Sequence, residues 1–295
     1  MRAEVSLSGA ATRLDGPLLF LRRELRVGLN QAVEVIGADG DPRLGRVVGL
    51  DQEQMIVEVL EPTADLGLAE TRVRFHGEPL RFGVGPGLLG RIFNGVGAVS
   101  DGGPPVPAVE RLPIEGMPIN PVHRELPREF IETGVTALDL LNSLVRGQKL
   151  PLFSGSGLPH DRLAIEIAQW ARLPGGDSGE FAIVFVAMGV PYVIAERFRK
   201  AMEDSGALER TALFLNLASD SATQRILTPR FALTAAEYLA FREGRHVLVV
   251  MTDMTNYCEA LRQVSASHGE VPSRKGFPGH MYSDLATIHE RAGRL

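Results

Sequence analysis

Residues 153–161 read Phe-Ser-Gly-Ser-Gly-Leu-Pro-His-Asp, between an apolar run and a helical pattern. This is the position of a nucleotide-binding P-loop, in which small residues let backbone N–H groups approach phosphate. A loop of the G-x-x-x-x-G-K-S/T type also needs a lysine for the terminal phosphates and a hydroxyl for the metal ion. Counted in register from Ser154, those two positions hold His160 and Asp161. The stretch therefore predicts weak nucleotide binding or none, and no hydrolysis.

The loop lies within an alternation of strand and helix patterns. The apolar runs at 181–188 and 246–251 are continuous, as expected of parallel strands that are buried on both faces. Repeated strand–helix–strand units predict a doubly wound α/β domain with a parallel sheet. The predicted strands are 149–153, 181–188, 212–217 and 246–251. Four helices are predicted between and after them. The first covers 162–171, the second carries the apolar stripe Ile194, Phe198, Ala201 and Met202, the third runs from Thr228-Pro229 to Gly244, and the fourth covers 257–264.

The N-terminal part has a different pattern. Six short β-like runs predict a small β-barrel over residues 1–75, and Gly37-Ala38-Asp39-Gly40 is typical of a hairpin turn between two of its strands. Residues 76–127 are rich in Gly and Pro and are predicted to form a connecting segment with one short helix at 88–92. The parallel-sheet domain then occupies 128–295. The six predicted barrel strands are 5–8, 17–21, 32–36, 43–50, 55–60 and 71–75.

Composition excludes several classes of protein. With 31 basic and 36 acidic residues the net charge is −5, which gives no support to a nucleic-acid partner. Cys258 is the only cysteine, so no internal disulfide forms and a reducing, cytoplasmic location is expected. The longest apolar run, 181–191, is too short to span a bilayer. The histidines lack metal-ligand spacing and no G-x-S-x-G elbow surrounds Ser154 or Ser156, so neither a metal site nor a catalytic residue is predicted.

Asp253 follows the apolar run His-Val-Leu-Val-Val-Met-Thr, at the expected carboxyl end of a strand. In P-loop proteins a carboxylate at this place holds magnesium, directly or through water. Ligands bind at the carboxyl edge of such sheets, so Asp253 and residues 154–161 are expected to converge there. The alternative is a structural aspartate that caps the next helix through Thr255 or Asn256, and the sequence leaves the two interpretations evenly weighted.

Hydrolysis also requires a carboxylate that orients water. The run at 181–188 is followed by Gly189 and Val190, and valine cannot accept a proton. Glu196 lies further along the chain beside Arg197 and Arg199, where a solvated surface ion pair is the expected arrangement.

Four long stretches resemble the B subunit, the non-catalytic subunit, of V-type and A-type rotary proton ATPases. They are ETGVTALDLLNSLVRGQKLPLFSGSGLPHD (132–161), ERTALFLNLASDSATQRILTPRFALTAAEYLAF (209–241), HVLVVMTDMTNYCEALRQ (246–263) and GFPGHMYSDLATIHERAG (276–293). The N-terminal segments DGPLLFL (15–21) and GRIFNG (90–95) match more loosely. The resemblance covers essentially the whole chain and implies a RecA-like P-loop fold for residues 128–295, preceded by the small N-terminal β-barrel.

The resemblance implies three B subunits that alternate with three catalytic A subunits in a ring, with a central shaft and peripheral stalks. ATP or ADP would lie at the interfaces, mainly on A, with magnesium, and only weakly on this chain. The complex would move protons through a membrane sector, which this subunit meets only indirectly. By the same resemblance the degenerate nucleotide site would comprise Ser154, Gly155, Ser156, Gly157, Leu158, Pro159, His160, Asp161 and Asp253.

Two departures accompany the resemblance. Relatives continue past the ERAG motif with an arginine for the neighbouring site, a further sheet strand and a C-terminal helical domain, so the 295 residues are expected to be an incomplete subunit. Residues 190–197 also differ from the family pattern. Two other hypotheses stay open: a diverged stand-alone nucleotide sensor without hydrolysis, and a self-sufficient ATPase, which would need the missing lysine.

Overall fold

The computed structural model describes residues 6–8, 11–116, 119–175 and 181–295. Val5, which belongs to the first predicted strand, lies outside these ranges. The chain divides into two compact units: the first is Met1–Arg81 with Asp220–Gln224, and the second is Phe82–Ser219 with Arg225–Leu295. No helix among the described residues combines the length and the apolar character needed to cross a bilayer.

The first unit is built on an antiparallel sheet with the strand order β1-β7-β4-β5-β6-β3-β2. Its strands alternate in burial with a period of two, because successive side chains of a strand point to opposite faces. Val33 and Val35 are fully buried and pair with Phe75 and Val73 of the neighbouring strand. The strands are β1 (Ser6–Ser8), β2 (Ala11–Asp15), β3 (Leu18–Arg22), β4 (Gln31–Ile36), β5 (Pro42–Leu50), β6 (Gln54–Val59) and β7 (Arg72–Pro79).

The predicted strand count of six was one too low, since the described part of this sheet has seven strands. The additional strand is β2, whose polar sequence shows little alternation. It forms because its backbone pairs with β3, with Leu14 opposite Leu19. The predicted hairpin is confirmed: Gly40 N donates to Gly37 O at 3.1 Å, and β4 and β5 pair up to Ile36 opposite Pro42.

The second unit contains a parallel sheet with the order β15-β13-β14-β9. Residues 82–127, which we predicted as part of a connecting segment, contribute one strand of this sheet and the buried side chains of Phe82, Leu88 and Phe93. The strands are β8 (Arg81–Val84), β9 (Ile92–Asn94), β10 (Glu110–Pro113), β11 (Phe130–Ile131), β12 (Leu144–Val145), β13 (Phe181–Val190), β14 (Thr211–Leu217) and β15 (His246–Thr252). Pairs β8–β10 and β11–β12 form small separate ribbons.

Helices cover both faces of the parallel sheet, as the alternating pattern predicted. On one face Ile183 and Phe185 of β13 pack with Ile165 of the second helix and Phe198 of the third. On the other face Phe214 of β14 lies in an aromatic cluster with Phe231 of the fourth helix. The helices are α1 (Thr136–Leu141), α2 (His160–Trp170), α3 (Tyr192–Asp204), α4 (Ala222–Phe241), α5 (Met254–Ser267) and α6 (Met281–His289).

The predicted strand at 149–153 was wrong. These residues have no regular secondary structure, and Phe153 is 95% exposed. The described sheet ends at β15, which pairs with β13. An apolar run without a partner strand cannot satisfy its backbone groups as a strand, and Pro151 lacks an N–H to donate. β15 itself keeps partial exposure from His246 to Met251, so it is less buried than a strand paired on both sides.

Two helix predictions also need correction. The 88–92 helix is a short 3-10 turn at Pro86–Leu88, and Ile92 begins β9. The helix expected to start at Thr228 starts at Ala222, and Pro229 lies inside it. Ser221 provides the earlier start because its Oγ accepts a hydrogen bond from Gln224 N at 3.1 Å. Thr228, instead of capping the helix, donates through Oγ1 to Gly95 O at 3.1 Å.

Candidate functional site

The glycine-rich loop leads directly into the first turn of α2 and is open to solvent. Every residue from 151 to 160 is exposed. Leu158 N donates to Gly155 O at 3.2 Å, and Gly157 takes a φ of +83°, which suits glycine. The N–H groups of Ser156 and Gly157 make no hydrogen bond within the described part of the chain. The loop and the start of α2 therefore offer unsatisfied donors to an anion.

His160 and Asp161, which stand where the motif has a lysine and a hydroxyl, make the loop less favourable for an anion. His160 Nδ1 lies 3.2 Å from Leu158 O, and His160 Nε2 lies 3.5 Å from Asp161 Oδ1. Asp161 lies in the first turn of α2, where a carboxylate interacts favourably with the helix dipole. The same negative charge repels a triphosphate. At this position Asp161 therefore stabilises the start of α2 and opposes the binding of an anion.

Asp253 is the residue directly after β15 and the N-cap of α5. Its Oδ1 accepts a hydrogen bond from Thr255 N at 2.8 Å, which matches the capping interpretation of the sequence. Asn256 instead bonds across the sheet edge, since its Nδ2 donates to Met188 O at 3.0 Å and Gly189 O at 3.1 Å. Among the described residues no hydrogen bond or ion pair joins Asp253 to the loop 154–161, so their convergence stays a prediction.

Replacing Asp253 tests its structural part directly. Asp253→Ala should lower the free energy of unfolding by about 1 kcal/mol, because Thr255 N loses its acceptor. Asp253→Asn keeps a side-chain acceptor at the cap and should lie within a few tenths of a kcal/mol of the parent. Urea unfolding of the three proteins measures this difference. Equal losses in both variants would show that the negative charge, and not the cap, is what stabilises the native state.

Neither Val190 nor Glu196 provides a free carboxylate that could activate water. Val190 ends β13 with its side chain buried, and its carbonyl accepts from Ala218 N at 2.8 Å. Glu196 forms the expected surface ion pair, with Oε2 2.5 Å from an Arg199 nitrogen. The Arg199 guanidinium holds the pKa of Glu196 below its usual value. Glu196 therefore remains a charged surface group on α3.

Arg225 is a notable residue that the sequence reasoning missed. It is buried at the carboxyl ends of β13 and β14, where its Nε donates to Asn216 Oδ1 at 3.0 Å. Asn216 Oδ1 also accepts from Gly189 N at 3.0 Å. A Cβ on Gly189 would lie 2.5 Å from Arg225 Nε, so glycine is required there. The only signal in the sequence was an arginine shortly before the helix predicted from Thr228, and periodicity does not distinguish such a residue from a surface cation.

The described residues contain no cluster of side chains suited to bind a metal ion. Within the described ranges no three His, Cys, Asp or Glu side chains are grouped so that they could hold a metal ion. The lone thiol of Cys258 is half-buried on α5, and burial raises its pKa. Its thiolate form is therefore disfavoured.

Comparison with protein-family models agrees with the two-part architecture. Residues 12–77 match the beta-barrel domain of the ATP synthase alpha/beta family, and residues 134–295 match the nucleotide-binding domain of the same family. The second match includes the loop, the parallel strands β13 to β15 and Asp253. The chain belongs to the ATP synthase alpha/beta family.

Proposed function

We propose that this chain is the non-catalytic, B-type subunit of a V/A-type proton-translocating ATPase or ATP synthase. Members of the ATP synthase alpha/beta family form alpha/beta hexameric rings in ATPase complexes, and this supports a role in such a ring. The observation that supports the proposal is the loop before α2. A nucleotide-binding domain spans 134–295, yet His160 and Asp161 occupy the places of the phosphate-binding lysine and the metal-binding hydroxyl.

The chemistry of phosphoryl transfer explains why these two changes matter. Catalysis depends on positioning and on cations that neutralise charge developing on the transferred phosphoryl group. Asp161 adds a negative charge where a neutral hydroxyl would bind magnesium, and Val190 offers no carboxylate to orient water. A subunit with this loop can shape a site that a neighbouring subunit completes, while it leaves the reaction itself to that neighbour.

In this role the chain would bind ATP or ADP weakly, at an interface, with the magnesium ion held mainly by its partner. The catalytic A subunit would be its direct partner, and the central shaft and peripheral stalks would be further partners. The chain would be cytoplasmic and would reach the membrane only through the assembled complex. The residues proposed to face the nucleotide are Ser154, Gly155, Ser156, Gly157, Leu158, Pro159, His160, Asp161 and Asp253.

Restoring the two missing side chains tests this proposal. We expect the double variant His160→Lys, Asp161→Thr to bind MgATP at least about tenfold more tightly than the parent chain, because a charge-assisted hydrogen bond contributes about 1.5–3 kcal/mol. Isothermal titration with MgATP measures both affinities. His160→Gln is the matched control, since it alters the same position without adding a cation, and its affinity should equal that of the parent.

Two further measurements separate the proposal from its alternatives. Phosphate release by the parent chain alone should equal the enzyme-free background, and a rate that Asp253→Asn abolishes would instead indicate a self-sufficient ATPase. Micromolar, magnesium-dependent binding by the parent chain would indicate a stand-alone sensor. Co-purification with a catalytic A subunit in a ring-sized complex is the result expected of a B-type subunit.

A further inference from the structure

The segment before the nucleotide loop is attached to the second unit by an ion pair. Lys149 Nζ lies 3.0 Å from Glu290 Oε1, where Glu290 follows α6 directly. Arg124 makes a second bond to the same carboxylate, at 3.0 Å from Oε2, and also donates to the Glu290 carbonyl at 2.6 Å. Glu290 is thus held on both oxygens by two cations from distant parts of the sequence.

After Leu150 the chain makes few contacts with the rest of the unit until α2 begins. We call residues 151–159 the strap. Leu150 packs partly against the core, but all strap residues are exposed. Between 151 and 157 the described hydrogen bonds are confined to the local turn from Leu158 N to Gly155 O. At the far end α2 is anchored by Ile165 and Ala168 in the core. The strap therefore runs through solvent between Leu150, which directly follows Lys149, and the start of α2.

The segment that contains Glu290 is itself firmly anchored. Arg291, its neighbour, is buried and pairs with Glu237 of α4 at 2.6 Å. Three residues further on, Arg294 O accepts from Glu125 N at 3.0 Å. A Cβ on Gly147 would lie 2.7 Å from Arg294 N, so the backbones approach closely just before Lys149. Glu290 thus offers Lys149 a fixed point, because the residues around it cannot shift easily.

From this geometry we propose that Glu290 is a positioning residue for the nucleotide loop. Through Lys149 it sets the point at which the strap leaves the folded unit, and so the position of the exposed N–H groups of Ser156 and Gly157. The attachment couples the segment after α6 to the loop, which makes loop order sensitive to ionic strength and to any partner that engages Glu290. The nucleotide part of this inference rests on the proposed function, whereas the attachment of the strap does not.

Limited proteolysis tests the attachment without a ligand. Phe153 is 95% exposed within the strap and is a chymotrypsin site, and Tyr192 on α3 provides a reference site in the same digest. We expect Glu290→Gln and Lys149→Met each to raise the cleavage rate at Phe153, relative to Tyr192, about twofold to fivefold, the range of an exposed ion pair. The double variant should cleave no faster than Glu290→Gln, since Lys149→Met has no Glu290 charge left to lose once the carboxylate is gone.

The dependence of cleavage on salt tests the ion pair independently, and a second exposed ion pair far from the strap serves as the matched control. Raising NaCl from about 0.1 M to about 1 M, which shortens the Debye length to about 3 Å, should raise cleavage at Phe153 in the parent but not in Lys149→Met. Arg242→Met breaks a comparable exposed pair with Glu110, 3.2 Å long and remote in sequence from the strap, and should leave the ratio unchanged. Unchanged rates in both single variants, multiplicative effects in the double variant, or equal acceleration at Tyr192 would overturn the proposal.

Titration with MgATP separates this inference from the proposed function. If Glu290→Gln weakens binding twofold to fivefold while the Phe153 rate rises, the positioning role is supported in full. If the parent binds no nucleotide yet the Phe153 rate responds as described, the strap attachment stands and the nucleotide role of the loop fails. If nucleotide affinity is the same in parent and variant although the strap is released, Glu290 does not position the loop for its ligand.

Discussion

Replacing Arg291 with methionine is expected to lower the free energy of unfolding by about 3–5 kcal/mol, because it leaves a nearly buried carboxylate without its partner. The Arg291 side chain is 4% exposed, and its Nε and Nη2 donate to the two carboxylate oxygens of Glu237 at 2.6 and 2.7 Å. It also donates to the carbonyls of Ile114 at 2.7 Å and Arg230 at 3.2 Å. One side chain thus joins the residues after α6 to α4 and to the segment after β10.

The measurement is the urea midpoint, or a melting temperature expected to fall on the order of 10 °C. The double variant Arg291→Met, Glu237→Leu should recover part of the loss, because two apolar side chains leave no uncompensated charge. Arg242→Met, which breaks an exposed pair after α4, should leave the midpoint unchanged. A loss of less than about 1 kcal/mol for Arg291→Met would mean that the network of bonds contributes no more than a surface ion pair does.

Replacing Phe214 with alanine should by itself lower the free energy of unfolding by about 3–5 kcal/mol, the usual range for a buried phenylalanine. Phe214, like Arg291, lies in the second compact unit. Phe214 is fully buried in β14 and stacks on Phe93 of β9 with ring centroids 4.8 Å apart. Phe82 meets Phe214 edge-on at 6.0 Å and Phe231 of α4 at 5.7 Å. The substitution leaves a cavity where a strand edge, a helix and the Phe82 segment meet.

Phe153→Ala is the matched control for Phe214→Ala, since it removes the same atoms from a side chain that is 95% exposed. We expect its free energy of unfolding to stay within about 0.5 kcal/mol of the parent, as for most surface substitutions. Phe214→Leu should lose less than Phe214→Ala because it refills part of the volume. A loss for Phe153→Ala as large as that for Phe214→Ala would show that the exposed strap contributes to stability as much as the aromatic cluster does.

The candidate site divides into parts that residue type determines and parts that geometry determines. The absence of a lysine at position 160 and of a hydroxyl at 161 is a matter of chemistry, and no fold can supply the missing groups. Asp253 is different, because a carboxylate after a strand suits a metal ion and a helix cap equally well. Only the 2.8 Å bond to Thr255 N identifies the cap.

Arg225 is a second residue whose role depends on tertiary contacts that the sequence pattern does not reveal. The helix predicted from the sequence begins only at Thr228 and leaves Arg225 outside, whereas α4 begins at Ala222 and carries Arg225 to Asn216 at the carboxyl ends of β13 and β14. Likewise, Lys149 and Glu290 lie 141 residues apart in the chain, so their ion pair has no signal in local pattern. Contacts of this kind arise from packing, which periodicity does not encode.

By itself the sequence determined the order of barrel and parallel sheet, the burial of β13 on both faces and the loss of the phosphate-binding groups, because each follows from local pattern or side-chain chemistry. Tertiary structure alone decided that 149–153 is not a strand and that Ile92 begins one. A strand exists only where a neighbour accepts and donates its backbone hydrogen bonds, and in the described sheet β14 provides that neighbour for β9, whereas 149–153 has none.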